Sequence, residues 1–212
     1  MKSVQFLIIL STVFLTQAIA QKDPAAKKVL DAMSTKYQNI EAFRAEFSYT
    51  MEDDSDDIDE GFKGTILVRG EKYKLIMDEQ EVTFDGTDIY TYLKDENEVT
   101  VSAFDPEDEE ISLSNIFDIY KTGFKYVYTE AKSNGTIDVV DLVPEDREKD
   151  YFKIRMEITS ATNELKSFKV FDKSGSRYLY KVLTFKEDSS ITDSVFAYDK
   201  SKYPNAEMID FR

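Results

Sequence analysis

The residues with the most concentrated chemistry are acidic. "EDDSDDIDEG", Glu52 to Gly61, would make a divalent-cation loop if its oxygens fell at the required offsets. A calcium loop needs glycine at its sixth position. Counted from Asp53 that position is Ile58, so the pattern fails and the run reads as a solvated hairpin tip between a strand ending near Met51 and one starting near Phe62. "DPEDEE" from Asp105 reads the same way and suits the N-terminal side of a following helix. Glycosidase chemistry needs two carboxylates positioned across a cleft, and no local motif singles out a pair among the 42 acidic residues. Histidine and cysteine are absent, which removes the commonest general base and zinc ligand and the thiolate nucleophile. There is no glycine-rich phosphate loop and no serine elbow with a partner histidine. No metal site, no cofactor and no enzymatic activity are therefore expected.

The apolar residues are more informative: 15 Phe and 13 Tyr, without tryptophan. "ILVRGEKYKLIM", Ile66 to Met77, reads as two strands around a glycine turn, with Leu67 and Arg69 alternating on one and Tyr73, Leu75 and Met77 on the other. Counting outward, Phe84, Tyr90, Tyr92, Val101 and Phe104 join them on one side of a curved sheet. A filled core and a residual apolar cavity both fit that stripe, and methionine with aromatics suits flexible ligands. Arg69 beside such a stripe needs hydrogen-bond acceptors; the alternative is an exposed arginine at a strand end.

The elements that would position these residues begin after a leader. "MKSVQFLIILSTVFLTQAIA" has Lys2, an apolar run from Val4 to Leu15 and small residues at Ala18 and Ala20, so residues 1–20 read as a secretory signal peptide cleaved after Ala20. Residues 21–212 carry no repeat and no Gly/Ser linker and read as a single domain. The net charge of −15 argues against nucleic acid and anionic lipid headgroups as partners and favours basic protein surfaces. "DPAAKKVLDAMSTKYQNIEAF" has Asp23 as a helix cap, Pro24 at the first helical position, and Ala26, Val29, Leu30, Met33, Tyr37 and Ile40 at helical spacing. From Phe43 the period becomes two, and turn signals recur at "RGEK", "DGTD", "KDENE", "SNGT" and "KSGS". Between Val101 and Phe124 a second helix is expected, capped by Ser112, stopped by Gly123, with Leu113, Ile116, Phe117 and Tyr120 on one face. The expected fold is mainly β with two helices (α+β), a single curved antiparallel sheet of about eleven strands curling into an open half-barrel whose mouth the helices cover.

These residues resemble the LolA family of periplasmic outer-membrane lipoprotein carriers over nearly all of the mature chain. "IEAFRAEFSYT" is similar to the family's first strand at Phe43, Ala45 and Phe47, and "GTILVRGEKYKLIM" to the segment carrying its arginine. "VTFDGTDIYTYL" matches at Asp85, Gly86, Ile89, Tyr90 and Tyr92, "VVDLVPED" at Leu142 and Pro144, "FKVFDKSGSRYLYKV" at Asp172 and Gly175, and "YPNAEMIDFR" resembles the family's ending. The family's Arg-Pro becomes Arg69-Gly70, and its Trp positions become Leu67 or Tyr90.

The resemblance implies an open barrel whose cavity, lined by Leu67, Tyr73, Leu75, Met77, Phe84, Tyr90, Tyr92, Val101, Phe104, Ile116 and Phe117, holds the acyl chains of a lipoprotein. The N-terminal helix, through Leu30, Met33 and Tyr37, and the central helix would form a lid. Arg69 would latch that lid by bonding carbonyls near Leu30 and Met33 or near Ile116 and Phe117, so that Arg69→Leu loads lipid but releases it poorly. The implied function is a monomeric periplasmic carrier shuttling acylated lipoproteins from an inner-membrane ABC-type export complex to the outer membrane or an acceptor there. The alternative implied by the same fold is a periplasmic lipid- or lipoprotein-binding sensor module. For the carrier, the acidic insert 52–60 would contact a basic surface on the export complex.

Overall fold

Asp23 has two tasks. It caps the helix α1, Pro24–Gln38, by accepting from the Ala25 N–H at 2.8 Å, and its other oxygen accepts from the Tyr128 N–H at 2.9 Å while its own N–H donates to the Tyr126 carbonyl. Both tyrosines belong to the strand at one open edge of the sheet, so a single side chain starts the helix and blunts a strand edge. The computed structural model describes residues 22–52, 60–105, 111, 114–129 and 132–212. Residues 1–20, expected to be a leader, the centre of the acidic insert at 53–59, residues 106–110 of the second acidic run, and Ser112 and Leu113 of the expected central helix lie outside the described residues.

The buried stripe of α1 is Ala26, Leu30, Met33 and Tyr37, the spacing expected from the sequence, and each large apolar side chain in it contributes about 1.5–3 kcal/mol. Backbone hydrogen bonds from Tyr128 and then Ala25 hold the Asp23 carboxyl below the usual carboxylate range. A group depressed in the folded state stabilises the fold above its unfolded pKa, about 3.9, and that contribution is lost as the pH falls through the folded value. Thermal melts are therefore expected to show Asp23→Asn narrowing the loss of stability below about pH 4 without altering the slope near neutrality. An unchanged acid limb would contradict this role.

Strands β1 (Ala42–Glu52), β2 (Glu60–Arg69), β3 (Lys72–Met77), β4 (Gln80–Phe84), β5 (Asp88–Leu93) and β6 (Glu98–Ala103) form one antiparallel meander. A second comprises β7 (Phe124–Tyr128), β8 (Ile137–Pro144), β9 (Tyr151–Thr159), β10 (Glu164–Asp172) and β11 (Arg177–Glu187). The long strands β1 and β11 pair along Phe43–Glu52 and fuse the meanders into one open, curved sheet. The expected mainly β fold with a single curved sheet and an N-terminal helix holds, with two differences. Among the described residues there are twelve strands, and β12 (Glu207–Asp210) pairs parallel to β6, so the sheet is mixed.

Two long connections cross the sheet. The chain from β6 to β7 passes the face that carries α1, here the inner face, and brings Ile116, Phe117 and Tyr120 into the core with the helix. The chain from β11 to β12 crosses the opposite, outer face. The central helix expected over the first crossing is replaced by turns at 114–118 and a 3₁₀ turn, Ile119–Lys121. The Asp118 and Ile119 N–H groups both donate to the Asn115 carbonyl, and the Lys121 N–H donates to the Asp118 carbonyl, successive single turns in place of a helix. Asp118 is held instead by α1, accepting from Ser34 Oγ and Gln38 Nε2, while Tyr120 donates to Asp31 at 2.8 Å. Tertiary ties outweigh the propensity of a segment too short to be helical alone. Gly123, expected to stop that helix, instead ends the crossing at φ 73° just before β7.

Candidate functional site

The register of the β2–β3 hairpin decides which side chains meet. Gly70 has φ 58°, the positive value a two-residue type II′ turn needs at its first central position and which proline cannot adopt. Gly70 is thus required by this turn rather than a loosening of it. The turn pairs Arg69 with Lys72, Leu67 with Lys74, Val68 with Tyr73 and Ile66 with Leu75. Later hairpins continue the pattern, with Tyr73 opposite Phe84 and Phe84 opposite Ile89, while Thr83 opposes Tyr90 and Tyr90 opposes Val101.

The expected stripe therefore divides. Tyr73, Leu75, Met77 and Phe84 lie on the inner face; Phe84 stacks obliquely on Tyr73 at 5.6 Å and on Phe104 at 4.6 Å. Leu67, Tyr90, Tyr92 and Val101 lie on the outer face, a correction to the sequence expectation that put all nine on one side. Each hairpin here pairs odd with even residue numbers, so the face carried by odd numbers reverses from strand to strand. On the outer face the second crossing covers them. Phe196 is fully buried with Ala42, Leu67 and Ile191, Tyr198 lies parallel to Tyr90 at 5.0 Å, and Tyr203 packs on Tyr92 at 4.5 Å.

Arg69 follows Leu67 to the outer face. Its guanidinium donates to the Ile191 carbonyl at 3.0 Å and to Glu41 at 2.6 Å, and lies 3.5 Å from Asp193. Lys72 lies 3.4 Å from the same Asp193 oxygen. Its carbonyl partner is thus on the crossing between β11 and β12, in place of the helix carbonyls near Leu30, Met33, Ile116 and Phe117 expected from the sequence. The physical reason is the same parity. Arg69→Leu is expected to cost about 1.5–3 kcal/mol, the range for hydrogen bonds to charged groups, and to speed amide exchange at 191–196, where Val195 and Phe196 close local turns. Unchanged protection there would contradict the anchoring.

The inner face holds an open groove of about 1420 Å³, larger than the roughly 300–1,000 Å³ of a small-molecule pocket. One wall is Tyr73, Phe84 and Phe104, the other is Phe124, Tyr151, Val170, Tyr178 and Tyr180, with Tyr49 of β1 between them. Tyr49 packs on Tyr180 at 4.9 Å, and Tyr180 stacks on Phe168 at 4.5 Å. Ile111 and Ile119 add aliphatic surface, and Glu71, Asp146, Glu148 and Asp150 form part of the rim. Burial pushes the Tyr49 and Tyr151 hydroxyls above their ordinary pKa, so these two stay uncharged at neutral pH.

Ile116 and Phe117 sit beside this groove in the core; Phe117 stacks on Tyr37 at 3.7 Å. Leu30, Met33 and Tyr37 are buried on the α1 side of the same core. The sequence reading missed Tyr49, Phe124, Tyr151, Tyr178 and Tyr180 as groove residues. The alternation of Tyr178, Tyr180 and Val182 was visible, but only the β1–β11 pairing, far apart in sequence, turns it toward Tyr73 and Phe84. Such a trough can hold long flexible apolar groups and leave a polar end at its rim. Among the described residues no cluster of three or more carboxylates could hold a metal ion, and no helix is long and apolar enough to cross a membrane.

Residues 38–199 match the profile of the family described as outer membrane lipoprotein carrier protein LolA. Among solved structures, the chain is similar to an uncharacterized conserved protein from Thermus thermophilus, with TM-score 0.56 and 12% identity over 88% of this chain and 99% of that one. It is also similar to a DUF1329 family protein from Desulfovibrio piger, with TM-score 0.50 and 11% identity over 84% and 98%. No curated protein sequence matches the chain.

Proposed function

We propose, for a chain that belongs to the LolA family of outer membrane lipoprotein carrier proteins, that the inner-face groove binds the acyl chains of lipoproteins and that the protein carries them across the periplasm. The observation that carries this reading is the size and lining of the groove, about 1420 Å³ between two aromatic walls. Each methylene withdrawn from water contributes about 0.8 kcal/mol, so one long acyl chain contributes on the order of 10 kcal/mol. Tyrosines and phenylalanines on strands give a wall that packs on hydrocarbon without a charge to desolvate. The polar part of the cargo would stay at the rim.

The finer reading follows the family. Residues 1–20 direct export and are cleaved after Ala20, leaving one carrier domain, a monomer acting in the periplasm. An inner-membrane ABC-type export complex loads it, and the outer membrane or an acceptor there receives the cargo. Helix α1 and the inner crossing, joined through Asp118 and Tyr120, act as a lid over part of the core. Arg69 acts from the opposite face, by fixing the outer crossing against β2.

The test is titration of the purified protein with a triacylated lipopeptide against a fluorescent fatty acid already in the groove. Stoichiometric displacement, with the negative heat-capacity change of apolar burial, is expected. No displacement and no uptake would overturn the reading. Transfer of the lipopeptide onward to acceptor vesicles separates a carrier from a sensor, which would retain it.

A further inference from the structure

The outer face behind the groove carries cations gathered around one aromatic ring. Phe171 of β10 has Lys153 Nζ 4.0 Å from its ring centroid, and the guanidinium carbons of Arg155 and Arg177 at 5.9 and 6.0 Å. The register makes this one patch, since Phe171 opposes Lys153 on β9 and Arg177 on β11, and Lys169 opposes Arg155. Cations continue to Lys125, opposite Val143, and to Lys181 and Lys63, both opposite Ser48. Among the described residues, three carboxylates on the same stretch are engaged within it, and Glu52, the first residue of the acidic run 52–60, stands opposite Arg177. Asp141 takes both arms of Arg155 at 2.7 Å, Glu52 takes Lys169 at 2.8 Å, and Glu157 accepts from Ser167. Burial, with Arg155, Lys132 and Arg177 nearby, pulls the Lys153 ammonium below its ordinary pKa despite the opposing pull of Asp141.

Apolar side chains stand among these cations. Phe152, 6.1 Å from Phe171, is 49% exposed, and Val143 and Val127 are 40% and 48% exposed. We propose that this patch, centred on Phe152, Lys153, Phe171 and Arg177, is a docking surface for an anionic phospholipid bilayer. The mixture of scattered apolar side chains and basic groups is the composition of an interfacial membrane contact. Among the described residues, neither the groove nor the small pocket beside Tyr90 opens on the patch, so neither offers a cleft there in which a peptide would lie. The patch also ends where the groove begins: Tyr151 and Asp172, next in sequence to Phe152 and Phe171, line the groove. Docking would bring the groove mouth beside the headgroups.

The net charge of −15 argues from the sequence against anionic lipid. The register answers by gathering these cations on one face, and beyond about 8 Å at physiological ionic strength more distant carboxylates are screened; the carboxylates that bound the patch, Glu52 opposite Arg177 and Asp150 at the groove rim, oppose binding. Binding should therefore be local and strongly salt-dependent.

Sedimentation with vesicles of equal parts phosphatidylglycerol and phosphatidylcholine tests this, with phosphatidylcholine alone as reference. The wild-type chain is expected to sediment with the anionic vesicles at low salt, to be released by high salt, and to ignore the neutral ones. Lys153→Glu with Arg177→Glu should weaken binding about thirtyfold or more, from about 1 kcal/mol per basic side chain, and the milder Lys153→Gln with Arg177→Gln should shift it the same way with unchanged thermal melting. Absence of vesicle binding, equal binding by the folded variants, or patch-dependent binding to polyglutamate without vesicle binding would overturn the proposal. The inference stands apart from the groove reading, because lipopeptide uptake by these variants is expected to remain at the wild-type level.

Discussion

Tyr37→Ala is expected to cost about 3–5 kcal/mol and to release the C-terminal turn of α1 from the sheet. Tyr37 is buried, stacks on Phe117 at 3.7 Å, and meets Phe185 edge-on at 5.3 Å and Phe43 at 6.1 Å. Its hydroxyl accepts from the buried Leu165 N–H at 3.1 Å. Burial pushes that hydroxyl up to about 12, so the contact does not titrate near neutral pH. Alanine would remove the ring contacts and orphan a backbone donor. Tyr37→Phe separates the two effects, since it keeps the rings and leaves only the unpaired N–H, a cost of about 1–3 kcal/mol. Urea denaturation gives both values, and amide exchange along 30–38 reports the freed helix. Equal stability of Tyr37→Ala and wild type would remove α1 from its place as the clamp on the inner crossing.

The second large effect is on binding. Tyr178→Asp should weaken acyl-chain binding by on the order of thirtyfold or more, because a carboxylate facing hydrocarbon costs at least about 2 kcal/mol unpaired. Tyr178 is only partly buried and lies 6.1 Å from Tyr49 across the β1–β11 seam, so the substitution enters the groove wall without emptying the core. Leu183→Asp is the control, an exposed position on the same strand, and should leave affinity unchanged. A fatty-acid displacement titration measures both. Equal weakening by the two would point to a general loss of fold rather than to the groove.

Much of the architecture was legible because local chemistry agreed with the final contacts. Asp23 and Pro24 start α1 where the sequence places them, the stripe from Ala26 to Tyr37 is the buried face, and Phe43, Ala45 and Phe47 alternate inward. The shortfalls come from information that is not local. The face of Tyr90 and Tyr92 depends on the parity of each preceding turn, and a one-residue difference in loop length inverts it. Arg69 was recognised as a residue needing acceptors, yet the acceptor at Ile191 is supplied by a segment more than a hundred residues later. The Asn134-Gly135 signal sits in a longer connection, where Asn134 Oδ1 caps the Thr136 and Ile137 N–H groups, because β7 has already ended at Tyr128. The central helix failed for a related reason, since Asp118 and Tyr120 are tied to Ser34 and Asp31 of α1, more than eighty residues earlier.

The most direct test of the groove reading is photo-crosslinking with a lipopeptide whose acyl chain carries a photoactivatable group, followed by peptide mapping. Acyl chains in the groove predict crosslinks on the segments that carry Tyr49, Tyr73, Phe84, Tyr178 and Tyr180, competed away by unlabelled lipopeptide. Crosslinks confined to the outer face, or labelling that unlabelled lipopeptide does not compete, would contradict it.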